Sequence, residues 1–217
     1  MAEQSRFNMV EQQIRTWDVL DVAVLDLFNI IKRENYVPSN YRGLAFADIE
    51  VPLEHGEFML SPKLEGRILQ ELKVKKTEMA YHIGTGSGFF AALLAKLSKH
   101  VTTVDIHLNF IQRAKLLHRD NGLSNLHHHQ GNGFSLLQVE PVSFDVIVLT
   151  GSTSTEPIGL REKLNVGGRL FFIVGEEPMM QAKIIERYSD NQYAEHLLFD
   201  CVVPKLSYTL QSQVFQF

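Results

Sequence analysis

The chain has 217 residues, 45% of them hydrophobic and 21% charged, with 21 Lys and Arg against 25 Asp and Glu for a net charge of −4. That length suits one domain, and the composition excludes disordered, collagen-like and coiled-coil classes. A slightly acidic chain whose longest basic block is Lys73-Val74-Lys75-Lys76 is no general phosphate-binding surface, so nucleic acid is not expected as a partner.

One cysteine, Cys201, excludes an internal disulfide framework and suits a reducing compartment. Residues 1–10 carry Glu3, Gln4, Arg6 and Asn8 where a signal peptide would be apolar. No apolar run approaches the roughly 20 residues that span a bilayer. A soluble, cytoplasmic protein with no membrane partner is expected.

In chain order, Phe7, Val10 and Ile14 recur at helical spacing, and a second helix is expected from Asp18 or Asp21, with Val22, Leu25, Phe28 and Ile31 on one face. Pro38 stops it, and residues 41–53 read as irregular or short extended structure. Ser61-Pro62 then opens a third helix carrying Leu64, Ile68, Leu69 and Leu72, with serine as N-cap and proline at the first helical position.

From Glu78 onward strands at 79–83, 101–104, 126–129, 144–149 and 170–174 alternate with helices at 90–97, 108–121 and 157–164. This rhythm predicts an α/β fold, a mostly parallel sheet with helices on both faces. Residues 1–75 form an N-terminal helical or irregular extension and 76–217 the core of a single domain. At the end, 195–203 and 207–217 are strand-like runs joined across Pro204 without a helix, which predicts an antiparallel edge pair.

The informative segment is His82-Ile83-Gly84-Thr85-Gly86-Ser87-Gly88-Phe89, a strand running through alternating glycines into a helix. Glycines let the backbone approach a ligand, and the free amides of the following helix favour a carboxylate or phosphate. The same pattern also serves turns that merely need positive φ. A dinucleotide fingerprint needs glycine where Phe89 stands, which weakens a pyrophosphate reading.

The next strand ends in Asp105, from which a carboxylate can accept both hydroxyls of a ribose. Gly131-Asn132-Gly133 follows the third strand, so three loops meet at the carboxyl edge of the sheet, where ligands of such sheets bind. Thr150 and Gly151, nearest the same edge after the fourth strand, join the candidates. Loops and acid together point to a nucleoside carrying an anionic tail.

These residues resemble the class I S-adenosylmethionine-dependent methyltransferases and, within them, the protein-L-isoaspartate O-methyltransferases. The likeness rests on 83–88 and extends to Met9-Val10-Glu11-Gln12-Gln13-Ile14-Arg15, Lys32-Arg33-Glu34-Asn35-Tyr36-Val37-Pro38, Leu44-Ala45-Phe46-Ala47-Asp48, Leu164-Asn165-Val166-Gly167-Gly168-Arg169-Leu170 and Val202-Val203-Pro204.

The resemblance implies a Rossmann-like sheet that binds S-adenosyl-L-methionine. Its methionine end would meet His82, Gly84, Thr85, Gly86, Ser87 and Gly88, its ribose Asp105, and its adenine Asn132, with Ile106, Gly131, Gly133 and Thr150 completing the set. The reaction implied is transfer of the sulfonium methyl to the carboxylate of an isoaspartyl residue in a damaged protein, so the partner is a protein or peptide bearing such a residue. A carboxylate is already a nucleophile, and alignment and desolvation dominate such a step.

The sequence departs from the family pattern in three places. His82 stands where the family has an acid. Gly131-Asn132-Gly133 replaces Gly-Asp-Gly, and an Asn oxygen still accepts from an adenine amine. The family's Gly-Gln-Thr-Ile-Ser becomes 56–61, with one residue inserted and threonine lost, so Ser61 is either that motif's catalytic serine or only a helix cap. Two further readings remain: a degenerate member acting as a binding module, and a methyltransferase for another acceptor. A nicotinamide oxidoreductase is opposed by Phe89.

His127-His128-His129 alternates faces along a strand, so no metal site is expected. Glu176-Glu177 reads as a solvated loop. Trp17, Phe28 and Tyr36 read as packing of the N-terminal helices rather than a base-stacking platform, since no Lys or Arg interleaves them.

Overall fold

α1 (Ala2–Met9) runs directly into a π-helical turn over Val10–Ile14, which buries Val10 and Ile14. α2 (Val22–Ile30) starts at Asp21, whose carboxylate accepts from the Ala23 N–H at 2.8 Å, so the second of the two expected caps is used. The helix ends at Ile31, well before Pro38, and the chain turns there to carry Arg33 into the core. These features come from a computed structural model that describes residues 2–139 and 142–207.

A short hairpin follows, β1 (Val51–Pro52) paired antiparallel with β2 (Phe58–Met59), its tip turning through positive φ at His55 and Gly56. α3 (Pro62–Leu72) then buries Leu64, Ile68, Leu69 and Leu72, the face expected from their spacing. Ser61 occupies its N-cap position, but its side chain makes no cap hydrogen bond.

The alternating part comprises β3 (Met79–Ile83), α4 (Phe89–Leu97), β4 (His100–Asp105), α5 (Leu108–Asp120), β5 (Leu126–Gln130), α6 (Gly133–Val139), β6 (Phe144–Thr153), α7 (Ile158–Arg161) and β7 (Leu164–Glu176). β8 (Met179–Ser189) and β9 (Gln192–Asp200) complete it. The strand order is β5-β4-β3-β6-β7-β8-β9. The first five are parallel, while β8 and β9 are added antiparallel. Successive side chains enter opposite layers: Val146 and Val148 pack with α3 and α4, Ile147 and Leu149 with Phe134, Leu137 and Leu160.

The antiparallel edge lies elsewhere than expected. It is β8 against β9, while 201–204 carries no strand, and 208–217, most of the second expected strand, lies outside the described residues. β8 alternates buried Met180, Ala182 and Ile184 with Gln181 and Lys183, the period of a strand covered on one face. The helix expected over 157–164 shrinks to one turn, since Leu164 is taken into the sheet opposite Phe144. Among the described residues no helix is long and apolar enough to cross a membrane.

β3 lies between β4 and β6, where the connections diverge to the two sides of the sheet. Crevices form at the carboxyl end of such a strand.

Candidate active site

The glycine loop leaves β3 with φ of +98° at Gly84, +49° at Gly86 and +86° at Gly88. Such values cost a side-chain-bearing residue dearly, which accounts for the alternation. The N–H groups of Gly84 and Thr85 donate to Val104 O at 2.9 and 3.2 Å. Gly86 N–H donates to Asp105 Oδ2 at 2.8 Å, while Asp105 Oδ1 accepts from His107 N–H at 2.9 Å. Asp105 therefore clamps two loops together. Burial pushes its carboxyl up, opposed by these two backbone donors and by nearby His107 and His55.

On the next strand's loop, Asn132 Oδ1 accepts from Phe134 N–H at 3.0 Å and so begins α6. Gly133 is required by proximity, since a Cβ there would stand 2.8 Å from Ile83 Cγ1. The resulting cleft is lined by Gly84, Thr85, Gly86, Ser87, Asp105 and Ile106, together with Gly131, Asn132, Gly133, Thr150 and Gly151. The structure thus brings together most of the residues singled out from the sequence.

Three of the expected residues stand behind this lining. Gly88 packs against α5, where a Cβ would meet Ala114 Cβ at 2.8 Å. Ser61 adjoins the lining residues Met59 and Leu60 without being one of them.

His82 is the third, fully buried one layer below the loop. Its Nε2 is 3.0 Å from Thr150 Oγ1, and the Thr150 hydroxyl donates to Gly84 O at 2.9 Å. Thr150 must therefore accept, which puts the imidazole proton on Nε2. Nδ1 then accepts from Thr103 Oγ1 at 2.9 Å, and Thr103 Oγ1 lies 2.7 Å from Thr85 Oγ1. Burial, with a smaller contribution from His118, pushes the His82 pKa down to about 3. The ring is neutral, so it does not repel a cation in the cleft.

A similar pair supports Gly88. His118 Nε2 donates to Gly88 O at 2.7 Å, and His118 Nδ1 lies 2.7 Å from His128 Nε2. The middle histidine of the 127–129 run thus faces inward as a loop support. Among the described residues no group of three or more His, Cys, Asp or Glu is placed to hold a metal.

Of the roof of the cleft, the sequence offered only 56–61, as the counterpart of the family's Gly-Gln-Thr-Ile-Ser. One part is the β1–β2 hairpin, whose Leu53 lies beneath Gly86 and whose 57–60 line the cleft. His55 Nε2 donates to Asn109 Oδ1 at 3.1 Å, and Asn109 Nδ2 bonds Glu54. The other part is 204–207, anchored where Ser152 N–H donates to Pro204 O and Leu206 N–H to Ser152 O, both at 2.9 Å. Ser207 Oγ reaches Glu57 Oε1 at 3.2 Å and closes the two parts together. The cleft encloses about 80 Å³ of free space. It is a narrow slot beneath a partial roof.

At the far end the lining is Phe58, Met59, Leu60 and Phe90, with Glu65 as its carboxyl group. Glu65 is ion-paired with Arg33, and both are buried. Arg33 also donates to Ala45 O at 3.1 Å and to Leu60 O at 2.7 Å. Burial pushes the Glu65 carboxyl up to about 7 against the pull of Arg33, and burial likewise lowers Arg33 against the pull of Glu65.

A glycine loop, a strand-end acid and a third-strand amide surround a slot at the topological switch, the layout of a Rossmann-like nucleotide site. The protein-L-isoaspartate(D-aspartate) O-methyltransferase family model matches residues 4–205. A protein-L-isoaspartate O-methyltransferase of Petrotoga mobilis is 29% identical over 195 residues, covering 88% of this chain and 92% of its own. One of Opitutus terrae is 32% identical over 170 residues, covering 78% and 72%. A Plasmodium falciparum structure of a protein-L-isoaspartate O-methyltransferase, in complex with S-adenosyl-L-homocysteine, superposes with a TM-score of 0.77 at 19% identity, covering 92% of this chain and 97% of that one. The chain belongs to the protein-L-isoaspartate(D-aspartate) O-methyltransferase family.

Proposed function

We propose that the slot holds S-adenosylmethionine and presents it to an isoaspartyl carboxylate of a protein substrate, as part of protein repair. The observation that carries this reading is the clamp of Gly86 onto Asp105 at the switch point, with Asn132 lining the same slot. The cofactor supplies an electrophilic methyl group. Asp105 keeps a second lone pair on each oxygen for ribose hydroxyls, because each now accepts one backbone N–H. The Asn132 amide is the group proposed for the adenine edge, and Gly84, Thr85, Ser87 and Thr150 for the amino-acid end, with His82 and Gly88 holding that loop from behind. Ile106, Gly131 and Gly133 shape the adenosine wall.

The protein's remaining task is alignment and exclusion of water, which the roof of 57–60 and 204–207 performs. Ser61 is the proposed acceptor contact. Ser61→Ala should lower turnover about tenfold if its hydroxyl reaches the acceptor, and unchanged turnover would transfer that role to the lining at Leu60. A cytoplasmic setting is proposed from the lone Cys201, whose half-buried thiol is pushed up to about 11.

Calorimetric titration with S-adenosylhomocysteine, followed by labelled methyl transfer to an isoaspartyl peptide and to its normal aspartyl counterpart, tests the reading. Label on the isoaspartyl peptide alone is expected. Binding without label would favour a different acceptor. One observation supports that second reading: Glu57 and Glu65 line the slot, while its one lysine, Lys205, is engaged with Glu176 at 2.7 Å. No binding would reject the enzyme.

A further inference from the structure

β5 is an edge of the sheet, paired with β4 on one side only. Its alternation turns His128 inward against His118 and leaves His127 and His129, opposite Thr102 and Val104, together on the other face. Their ring centroids are 5.9 Å apart, with planes 35° from parallel. His127 is exposed and His129 half-buried, so solvent reaches the pair. Among the described residues neither imidazole has a hydrogen-bond or ion-pair partner.

Two other histidine pairs are committed elsewhere. His55 lies flat on His107 and spends its Nε2 on Asn109 Oδ1, while His118 and His128 use their facing nitrogens on each other. Of these three pairs, His127 and His129 alone keep their ring nitrogens unengaged. Each neutral imidazole has one ring-nitrogen lone pair to give to a cation. Metal–nitrogen bonds of about 2.0–2.1 Å hold an ion roughly 3.2 Å from each ring centroid, so two imidazoles on one ion stand roughly 5 Å apart. The pair at 5.9 Å closes to that spacing by rotation about χ2, which is broad for histidine, on a strand that need not move. His100, at the start of β4, does not complete a set of three, so water fills the remaining coordination positions.

We propose that His127 and His129 form a two-imidazole site for a divalent transition-metal ion of the nickel, copper or zinc type, for which imidazole is a favoured ligand. The pair does not line the methyl-transfer slot, and the proposal does not rest on that reaction. An ion on both rings would fix this stretch of the edge strand in its extended form and stabilise the folded chain by mass action.

The test is calorimetric titration of the untagged full chain with nickel(II) chloride, with the thermal midpoint measured alongside. One ion per chain is expected, with a dissociation constant of about 10–100 μM and a midpoint that rises with nickel. His127→Gln and His129→Gln should each weaken binding at least about tenfold, because one imidazole loses the high effective concentration of the second. Both should also abolish the nickel-dependent rise while keeping the metal-free midpoint of the parent. His100→Gln should bind like the parent. The proposal is overturned if the parent shows no saturable heat below millimolar nickel, if either single variant binds like the parent, or if His55→Gln or His100→Gln removes the binding instead.

Discussion

His55 lies flat on His107, with ring centroids 4.0 Å apart and planes 2° from parallel, and Phe110 meets both rings edge-on at 5.6 and 5.3 Å. The first ring belongs to the hairpin tip and the second to the loop that Asp105 holds, so this stack fastens the roof of the slot to its wall. An aromatic pair of this kind contributes about 0.5–1.5 kcal/mol beyond its buried area, or roughly two- to tenfold in an equilibrium. His55→Ala should therefore speed amide exchange across 57–60 and raise the dissociation rate of S-adenosylhomocysteine by a factor in that range. Unchanged exchange and unchanged dissociation together would show that the hairpin is held by other contacts.

His82 gives a pH dependence whose sign is fixed by burial. Its folded pKa of about 3 lies below the ordinary value of 6.5, so between those values the unfolded chain binds the extra proton. Stability from this residue is complete above about pH 6.5 and is lost as pH falls toward 3, with a slope of at most about 1.4 kcal/mol per pH unit. His128, lowered to about 4, acts in the same direction. His82→Ala should flatten the pH dependence of the urea midpoint between pH 6 and 4, while costing about 1–3 kcal/mol at pH 8 for each polar partner left dry at Thr103 and Thr150. An unflattened curve would mean that His82 does not titrate in this window.

Much of the core was legible because β3, β4 and β6 are short apolar runs punctuated by glycine or an acid at the sheet edge, and those punctuation residues are the slot itself. Asp105 and Gly86 announce themselves by spacing alone. The roof does not, since it is made by contact between segments about 150 residues apart: Ser207 on Glu57 leaves no local pattern. His82 looked like a cofactor contact because sequence gives its distance from Gly84 but not its layer, and the pleat turns it away from the slot. The pairing of Arg33 with Glu65 was hidden for the opposite reason, because each reads as surface on a helix or turn until its partner is known.

Gly88 separates loop geometry from ligand contact. A side chain there would need φ near +86° and would push Cβ to 2.8 Å from Ala114 Cβ and 3.2 Å from Ala114 Cα. Left-handed backbone costs about 1–2 kcal/mol and overpacking about 1–3 kcal/mol more. Gly88→Ala should lower the denaturation midpoint accordingly, and the double variant with Ala114→Gly should regain the packing part but not the backbone part. Full recovery in the double variant would show that the positive φ carries no cost, and no recovery that the contact with α5 is not the obstacle.

Arg33 donates to three buried acceptors, Glu65, Ala45 O and Leu60 O. Arg33→Leu would leave a carboxylate buried without its cation, a loss of about 3–5 kcal/mol. The loss should itself depend on pH. Burial already holds the Glu65 carboxyl at about 7 with Arg33 present, above the ordinary 4.5, and removing the cation raises it further. A group raised in the folded state keeps its proton there after the unfolded chain has released it, so stability falls as pH rises from about 4.5 through the folded value. The Arg33→Leu variant should therefore be least stable at pH 8 and regain part of the deficit at pH 5, where Glu65 is neutral. Adding Glu65→Leu should remove that pH dependence and recover stability at pH 8, leaving the cost of the two bare carbonyls. A deficit equal at pH 5 and pH 8 in the single variant would show that Glu65 stays ionised or finds water, and that the pair is not the dry contact behind Leu60 described above.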